Sequence, residues 1–206
     1  MSSFDWDRFL EQWSKEALNA GLCPADSPQG SAKSGCLGFP GAMEEQIVQA
    51  ELRLGATLPP SYRAFLKASN GWYLPDSLIE RLWSIEEIGW FSARHQDWIE
   101  QWTKAVAKYL PDSWSIPDKK YLVYGDAQDS TLTFRDEYLK TALEISPNYP
   151  DTSAIYLLNP QIITAEGEWE AWFFANWLQG AYRHSSFEDL MLAVHKDFVH
   201  QSIAGP

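Results

Sequence analysis

Four carboxylates crowd one short stretch, YGDAQDSTLTFRDE: Asp126, Asp129, Asp136 and Glu137. Oxygen-rich clusters suit hard divalent cations, but this one lacks the alternate spacing and closing glutamate of a calcium loop. It therefore reads as a solvated loop or a contact for a partner, and no metal is expected. The histidines are His95, His184, His195 and His200. His195 and His200 are five apart on an expected helix, which puts them on different faces and in ordinary surface positions. Cys23 and Cys36 are separated by twelve residues with no nearby histidine, a spacing that matches no zinc site; the alternatives are a disulfide closing that loop and reduced thiols, and reduced thiols are the expectation. Gly-x-Ser-x-Gly, Gly-Lys-Ser/Thr, Gly-x-Gly-x-x-Gly and His-Glu-x-x-His are all missing from the sequence, so neither an enzyme nor a cofactor is expected. Trp72 and Tyr73 follow an expected helix end, where a large aromatic either folds back on the core or faces a partner; aromatic anchors within a charged rim are the usual make-up of a protein-binding hot spot.

The elements that must position these residues are legible in part. In TLPPSYRAFLKASNGW, Pro59 and Pro60 suit the first turn of a helix. Tyr62, Phe65, Leu66 and Ser69 then recur on one face, with Lys67 off it, and Asn70 and Gly71 close the segment. Just before it, MEEQIVQAELRLG carries Glu44 and Glu45 at a helix start, Ile47, Ala50 and Leu54 on one stripe, and Gly55 as a stop. Met43 stands at the N-cap and cannot cap, so the first turn is expected to fray.

Residues 4–20 read as a helix with Trp6, Phe9, Leu10, Trp13 and Ala17 on its apolar side, and residues 21–38 as a flexible connector. SLIERLWS reads as a strand. A helix over 92–110 carries Trp98, Trp102, Ala105 and Tyr109 on one stripe and stops at Pro111. Strands are expected at Tyr121–Tyr124, Ala154–Leu158 and Glu168–Ala175, and a final helix from about Ser186. In the third strand Trp169, Ala171 and Phe173 share the core face; Glu168 and Glu170 begin the other, which passes from solvent to cover at Trp172 and Phe174. A strand cluster flanked by helices with short links argues for an α+β fold with a mainly antiparallel sheet.

The run LGFPGAMEEQIVQAELRLGATLPPSYRAFLKASNGW resembles the opening signature of the SUKH superfamily, and YLVYGD, AIYLLNP, EGEWEAWFFANW and SSFEDLMLAVHKDF follow in the family's order. The resemblance covers about residues 36 to 200. It implies a SUKH-like domain over 38–206, preceded by residues 1–37 as an N-terminal helix and connector; this segment is expected to be an appendage whose removal leaves a folded body, destabilised to the extent that the Trp6 to Ala17 stripe docks on it. It also implies a non-enzymatic role: the superfamily includes a fungal regulator of cell-wall synthesis and bacterial immunity proteins that neutralise toxins.

Composition bears on the partner. Over 206 residues, Lys plus Arg number 16 and Asp plus Glu 28, a net charge of −12 that repels nucleic-acid phosphates and attracts a basic protein surface. The N-terminal residues are acidic where a secretory signal is basic, and the apolar run AWFFANWL is too short to span a bilayer, so a cytoplasmic protein that binds neither nucleic acid nor membrane is expected. The expected partner is a toxin domain with a basic surface, met by Trp72, Tyr73, Asp126, Asp129, Asp136 and Glu137.

Overall fold

The chain was described by a computed structural model covering residues 4–24, 35–75, 77–109, 116–125, 135–148, 153–178 and 180–204. It divides into two compact units, one formed by Met1–Ile88 with Met191–Pro206 and the other by Gly89–Leu190. The fold class is α+β, and among the described residues every strand pairing is antiparallel.

The first unit is built from helices. Helix α1 (Trp6–Asn19) starts where Asp5 accepts a hydrogen bond from the Arg8 amide at 3.1 Å. Trp6, Leu10, Trp13 and Ala17 lie within its buried face. Helix α2 (Glu44–Leu54) buries Ile47, Ala50 and Leu54, and Gly55 ends it at φ 67°, the left-handed conformation that glycine adopts without a Cβ penalty. The uncapped start is tied down by other means: the Gln46 side chain accepts from the Met43 amide at 2.8 Å and donates to Glu86 at 2.7 Å. Helix α3 (Pro60–Ala68) buries Ser61, Tyr62, Phe65 and Leu66. Two short strands, β1 (Trp72–Tyr73) and β2 (Arg81–Leu82), follow as a pair. Asn70 is more than a helix terminator: its side chain accepts from the Ile85 amide at 2.7 Å and donates to Glu86 at 3.1 Å, holding the turn after β2 against the end of α3.

The apolar face of helix α1 packs within this unit. The Trp6 ring packs on Phe65 with centroids 5.5 Å apart, and Trp13 on Trp72 at 5.8 Å and on Phe198 at 6.0 Å. Phe198 belongs to helix α6 (Phe187–Ala204). His195 of the same helix is likewise not a surface bystander. It lies 5.0 Å from Trp13 and 5.2 Å from Phe9, and its Nε2 meets Glu16 at 2.6 Å. Burial would raise the Glu16 carboxyl, but hydrogen bonds from Gln12 and His195 outweigh it and hold the pKa below the usual range.

Cys23 and Cys36 form a disulfide with Cα atoms 5.7 Å apart, which corrects the expectation of reduced thiols. The chain returns to α1 because Ser14 accepts from the Leu37 amide at 3.3 Å, and this brings Cys36 beside the helix's C-terminal end. The expectation of reduced thiols rested on the cytoplasmic reading, since such bridges persist under oxidising conditions. Among the described residues no helix is long and apolar enough to cross a membrane.

Glu44 joins the start of α2 to α3. Hydrogen bonds from Arg63 and then Lys67 pull its carboxyl down from 4.5 to about 2. A depressed carboxylate stabilises the fold above its unfolded pKa and loses that contribution as pH falls through the folded value. The stability difference between wild type and Glu44→Gln is therefore expected at neutral pH and should vanish as pH drops from 4.5 toward about 2. Because Glu44 is solvent-exposed, the difference will be small. Urea titrations at a series of acidic pH values test it; a difference that persists undiminished at the lowest pH would mean that the ion pairs are not its source.

The second unit centres on a sheet of five strands in the order β3 (Gly89–Trp90), β4 (Leu143–Glu144), β5 (Ala154–Ile163), β6 (Trp169–Ala175) and β7 (Ala181–His184). Helix α4 (Gln96–Tyr109), preceded by a 3-10 turn at Phe91–Ala93, packs through Ile99, Trp98 and Trp102 onto Ile155, Leu157, Trp172 and Phe174. A second 3-10 segment, Asp136–Thr141, adds Leu139 to the same core. Tyr121 does not begin a strand: it closes the four-residue helix α5 (Asp118–Tyr121).

Candidate functional site

Trp72 has no solvent exposure. Its ring fills the first unit beside Trp13, so it is withdrawn as a partner contact: a fully buried indole offers nothing to an incoming surface. Tyr73 is half-buried, lies 5.2 Å from Phe39, and donates its amide to Leu37 at 2.8 Å. Asp136 and Glu137 open the 3-10 segment of the second unit. Asp136 is half-buried, and burial followed by the Glu137 charge raises its pKa; Glu137 is exposed. Asp126 and Asp129 lie outside the described residues. Trp72 and Tyr73 thus belong to one unit, and Asp136 and Glu137 to the other.

The polar centre of the second unit was not legible in the sequence. Glu170, read as the start of a solvent face, has no exposure, and neither has Arg183. Arg183 Nη1 donates to one carboxylate oxygen at 2.6 Å. The other oxygen accepts from Trp172 Nε1 at 2.7 Å and from Tyr121 Oη and Asn159 Nδ2, each at 2.9 Å. The Tyr121 ring has Arg183 over it at 3.9 Å and Arg135 at 4.3 Å. Burial, then the Glu170 charge, pushes the Tyr121 and Tyr124 phenols far above their usual range, so both stay protonated donors. A carboxylate with both oxygens engaged and no route to solvent binds nothing further; this cluster fixes β5, β6, β7 and α5 to one another.

A second buried carboxylate, Glu144 on β4, pairs with His95 Nε2 and Arg94 Nη1, both at 2.9 Å. His95 stacks on Phe91 at 4.7 Å. An imidazole oriented by a carboxylate can serve as a general base for a nucleophile within hydrogen-bond reach. Among the described residues no hydroxyl or thiol is hydrogen-bonded to His95, and no group of three or more His, Cys, Asp or Glu side chains could hold a metal.

The opposite face of the sheet carries a different feature. Tyr156, Phe173 and Tyr182 are direct cross-strand partners on β5, β6 and β7. Phe173 and Tyr182 stack at 6.2 Å, Tyr156 meets Phe173 edge-on at 5.7 Å, and Trp177, in the turn between β6 and β7, reaches Phe173 at 6.4 Å. The row runs from buried Tyr156 to Tyr182 at 57% and Trp177 at 55% exposure. The alternation of β6 was read correctly, but the helix-covered core lies on the Trp172 and Phe174 side, which leaves Phe173 on the aromatic row.

The model of the SMI1 / KNR4 family (SUKH-1) matches residues 41–142. The match supports membership of the SUKH superfamily. A search of the curated proteins found no match. The matched span includes α2, α3 and α4, the helices whose punctuation was clearest in the sequence, and ends just before β4. SUKH membership implies interaction with other proteins and a generally non-catalytic role. The aromatic row of this SUKH chain lies outside the matched residues.

Proposed function

We propose that this SUKH chain is a non-enzymatic binding protein that neutralises a cognate toxin domain by covering its active or substrate site. Family membership carries the reading, because it implies protein interaction. The net charge of −12 adds that the partner's surface is basic, since opposite charge speeds encounter while a smaller set of buried contacts sets the lifetime of the complex. The test is co-expression with the product of a neighbouring toxin-like reading frame. Protection of the host is expected, together with association that slows as salt rises and dissociation that changes little. Equal killing with and without this protein would overturn the reading. The fungal regulator that the superfamily includes suggests a second role, docking onto an endogenous partner; capture of a housekeeping complex together with failed protection would put that role in its place.

A further inference from the structure

We propose that the segment Pro40 to Met43 and the Glu86 carboxylate beside it form the docking surface for a basic segment of a protein partner: an arginine or lysine pairs with Glu86, and a neighbouring apolar side chain covers Met43 and Pro40. This deepens the protein-binding reading, on which it rests, by naming a surface and the chemistry of its occupant. All of these residues belong to the first unit.

Glu86 is a carboxylate held in place without a cation. One oxygen accepts from Gln46 Nε2 at 2.7 Å and the other from Asn70 Nδ2 at 3.1 Å. Both donors are neutral amides, and among the described residues no cation pairs with Glu86. Burial would raise its pKa, but hydrogen bonds from Asn70, its own amide, Ser84 and Gln46 outweigh it and keep the group below the usual range, hence ionised. Glu86 is exposed, and each carboxylate oxygen has a second lone pair, which suits a guanidinium or ammonium group arriving from solvent.

The same two amides set this charge beside apolar surface. Gln46 also accepts from the Met43 amide at 2.8 Å, so a single side-chain amide separates Glu86 from the Met43 backbone. On the other side the Asn70 backbone amide donates to the Pro40 carbonyl at 3.3 Å. Met43 is 63% exposed, and Pro40 is exposed as well. A methionine alone on a surface is ordinary; one fixed beside an unpaired carboxylate offers apolar and charged contacts together. The backbone that carries it is already fixed. The Ala42 amide donates to the Leu66 carbonyl at 2.8 Å, and a Cβ on Gly41 would fall 1.9 Å from the Lys67 carbonyl oxygen, so only glycine lets the segment lie against the end of α3. Little backbone entropy remains to be lost on binding.

Charge selects the occupant. The cations of these elements are already engaged: Arg63 and Lys67 pair with Glu44, Arg81 pairs with Glu87, and Arg53, which reaches the turn carrying Glu86, donates to the Ile85 and Ile88 carbonyls. Glu45, exposed and next to Gln46, adds a second carboxylate at the start of α2. A second copy of the chain, also carrying −12, is repelled.

The test pans a phage-displayed library of random peptides against the full chain, then measures binding of the enriched peptides to variants. Peptides pairing Arg or Lys with an apolar residue are expected, with affinity that falls as salt rises. Met43→Lys, which sets a cation beside Glu86, and Glu86→Gln should each weaken them about tenfold or more. Met43→Leu should retain them, and so should Leu18→Lys, the same charge change placed on α1. Should Glu86→Gln lower the melting temperature, Met43→Lys still decides, because the bonds to Met43 run through its backbone. Enrichment without basic residues, no enrichment, binding indifferent to Met43→Lys, or an equal loss with Leu18→Lys overturns the proposal. So does a wild-type dimer that Met43→Lys dissociates, which would assign the surface to a second copy. Failed host protection alongside peptides that map here refutes the toxin reading and leaves the surface standing; full protection by a Met43→Lys variant that still binds the peptides does the reverse.

Discussion

Arg183→Met is expected to cost about 3–5 kcal/mol, and Glu170→Leu more. Removing the guanidinium leaves Glu170 as a charge with no exposure and no cation at 2.6 Å. Removing the carboxylate is worse, because it strands Arg183 and also orphans Trp172 Nε1, Tyr121 Oη and Asn159 Nδ2, each loss costing about 1–3 kcal/mol. Set against a typical domain stability of about 5–15 kcal/mol, Glu170→Leu should bring the second unit close to unfolding. The double variant separates charge from packing. Replacing both members removes the unpaired ion, so it should be more stable than Glu170→Leu alone, yet short of wild type because the three neutral donors stay unsatisfied. Urea denaturation followed by tryptophan fluorescence measures all three. A cost below about 1 kcal/mol for Arg183→Met would mean that the pair behaves as a solvated surface bridge.

The same cluster shows where sequence reading runs out. Helices α2 and α3 were legible because their stripes and their Gly55 and Pro-Pro punctuation are local, and these are also the residues that carry the family resemblance. Glu170 was misplaced because alternation along β6 gives the two faces but not which face a helix covers. That is decided by α4, which packs on Trp172 and Phe174. Tyr121 has strand-like neighbours, yet it ends α5, where its hydroxyl reaches Glu170 from 49 residues away. Strands of two residues, such as β3 and β4, are too short to show any period. For the site, the sequence offered Trp72 as either plug or anchor, and the structure makes it a plug. Trp177 and Tyr182 drew no notice, since their outward position depends on the register of β7 against β6 and not on any local pattern. The disulfide was likewise hidden: twelve intervening residues carry no sign that the chain turns back onto Ser14.

Deleting residues 1–37 is expected to abolish cooperative unfolding of the first unit. From sequence this segment reads as an appendage whose loss a folded body survives, with some destabilisation if its apolar stripe docks. In the structure Trp6, Leu10 and Trp13 are buried, the last two with no exposure at all, and each contributes about 1.5–3 kcal/mol of burial. Together they approach the whole stability of an ordinary domain, before counting the lost Leu37 side chain and the Cys23–Cys36 bridge. The vacancy would also open Phe65, Trp72 and Phe198 to water, because the α1 rings now cover them. Trp13→Ala gives a graded version: it keeps the helix and the disulfide but leaves a cavity between Trp72 and Phe198, for about 3–5 kcal/mol. Calorimetry with near-ultraviolet dichroism distinguishes the cases. The point variant should melt as one transition at a lower temperature, and the 38–206 fragment should lose near-ultraviolet signal and show no calorimetric peak from this unit. If the fragment instead melts cooperatively within a few degrees of the full chain, α1 is an appendage after all, and the contacts of Trp6 and Trp13 contribute little to holding the unit together.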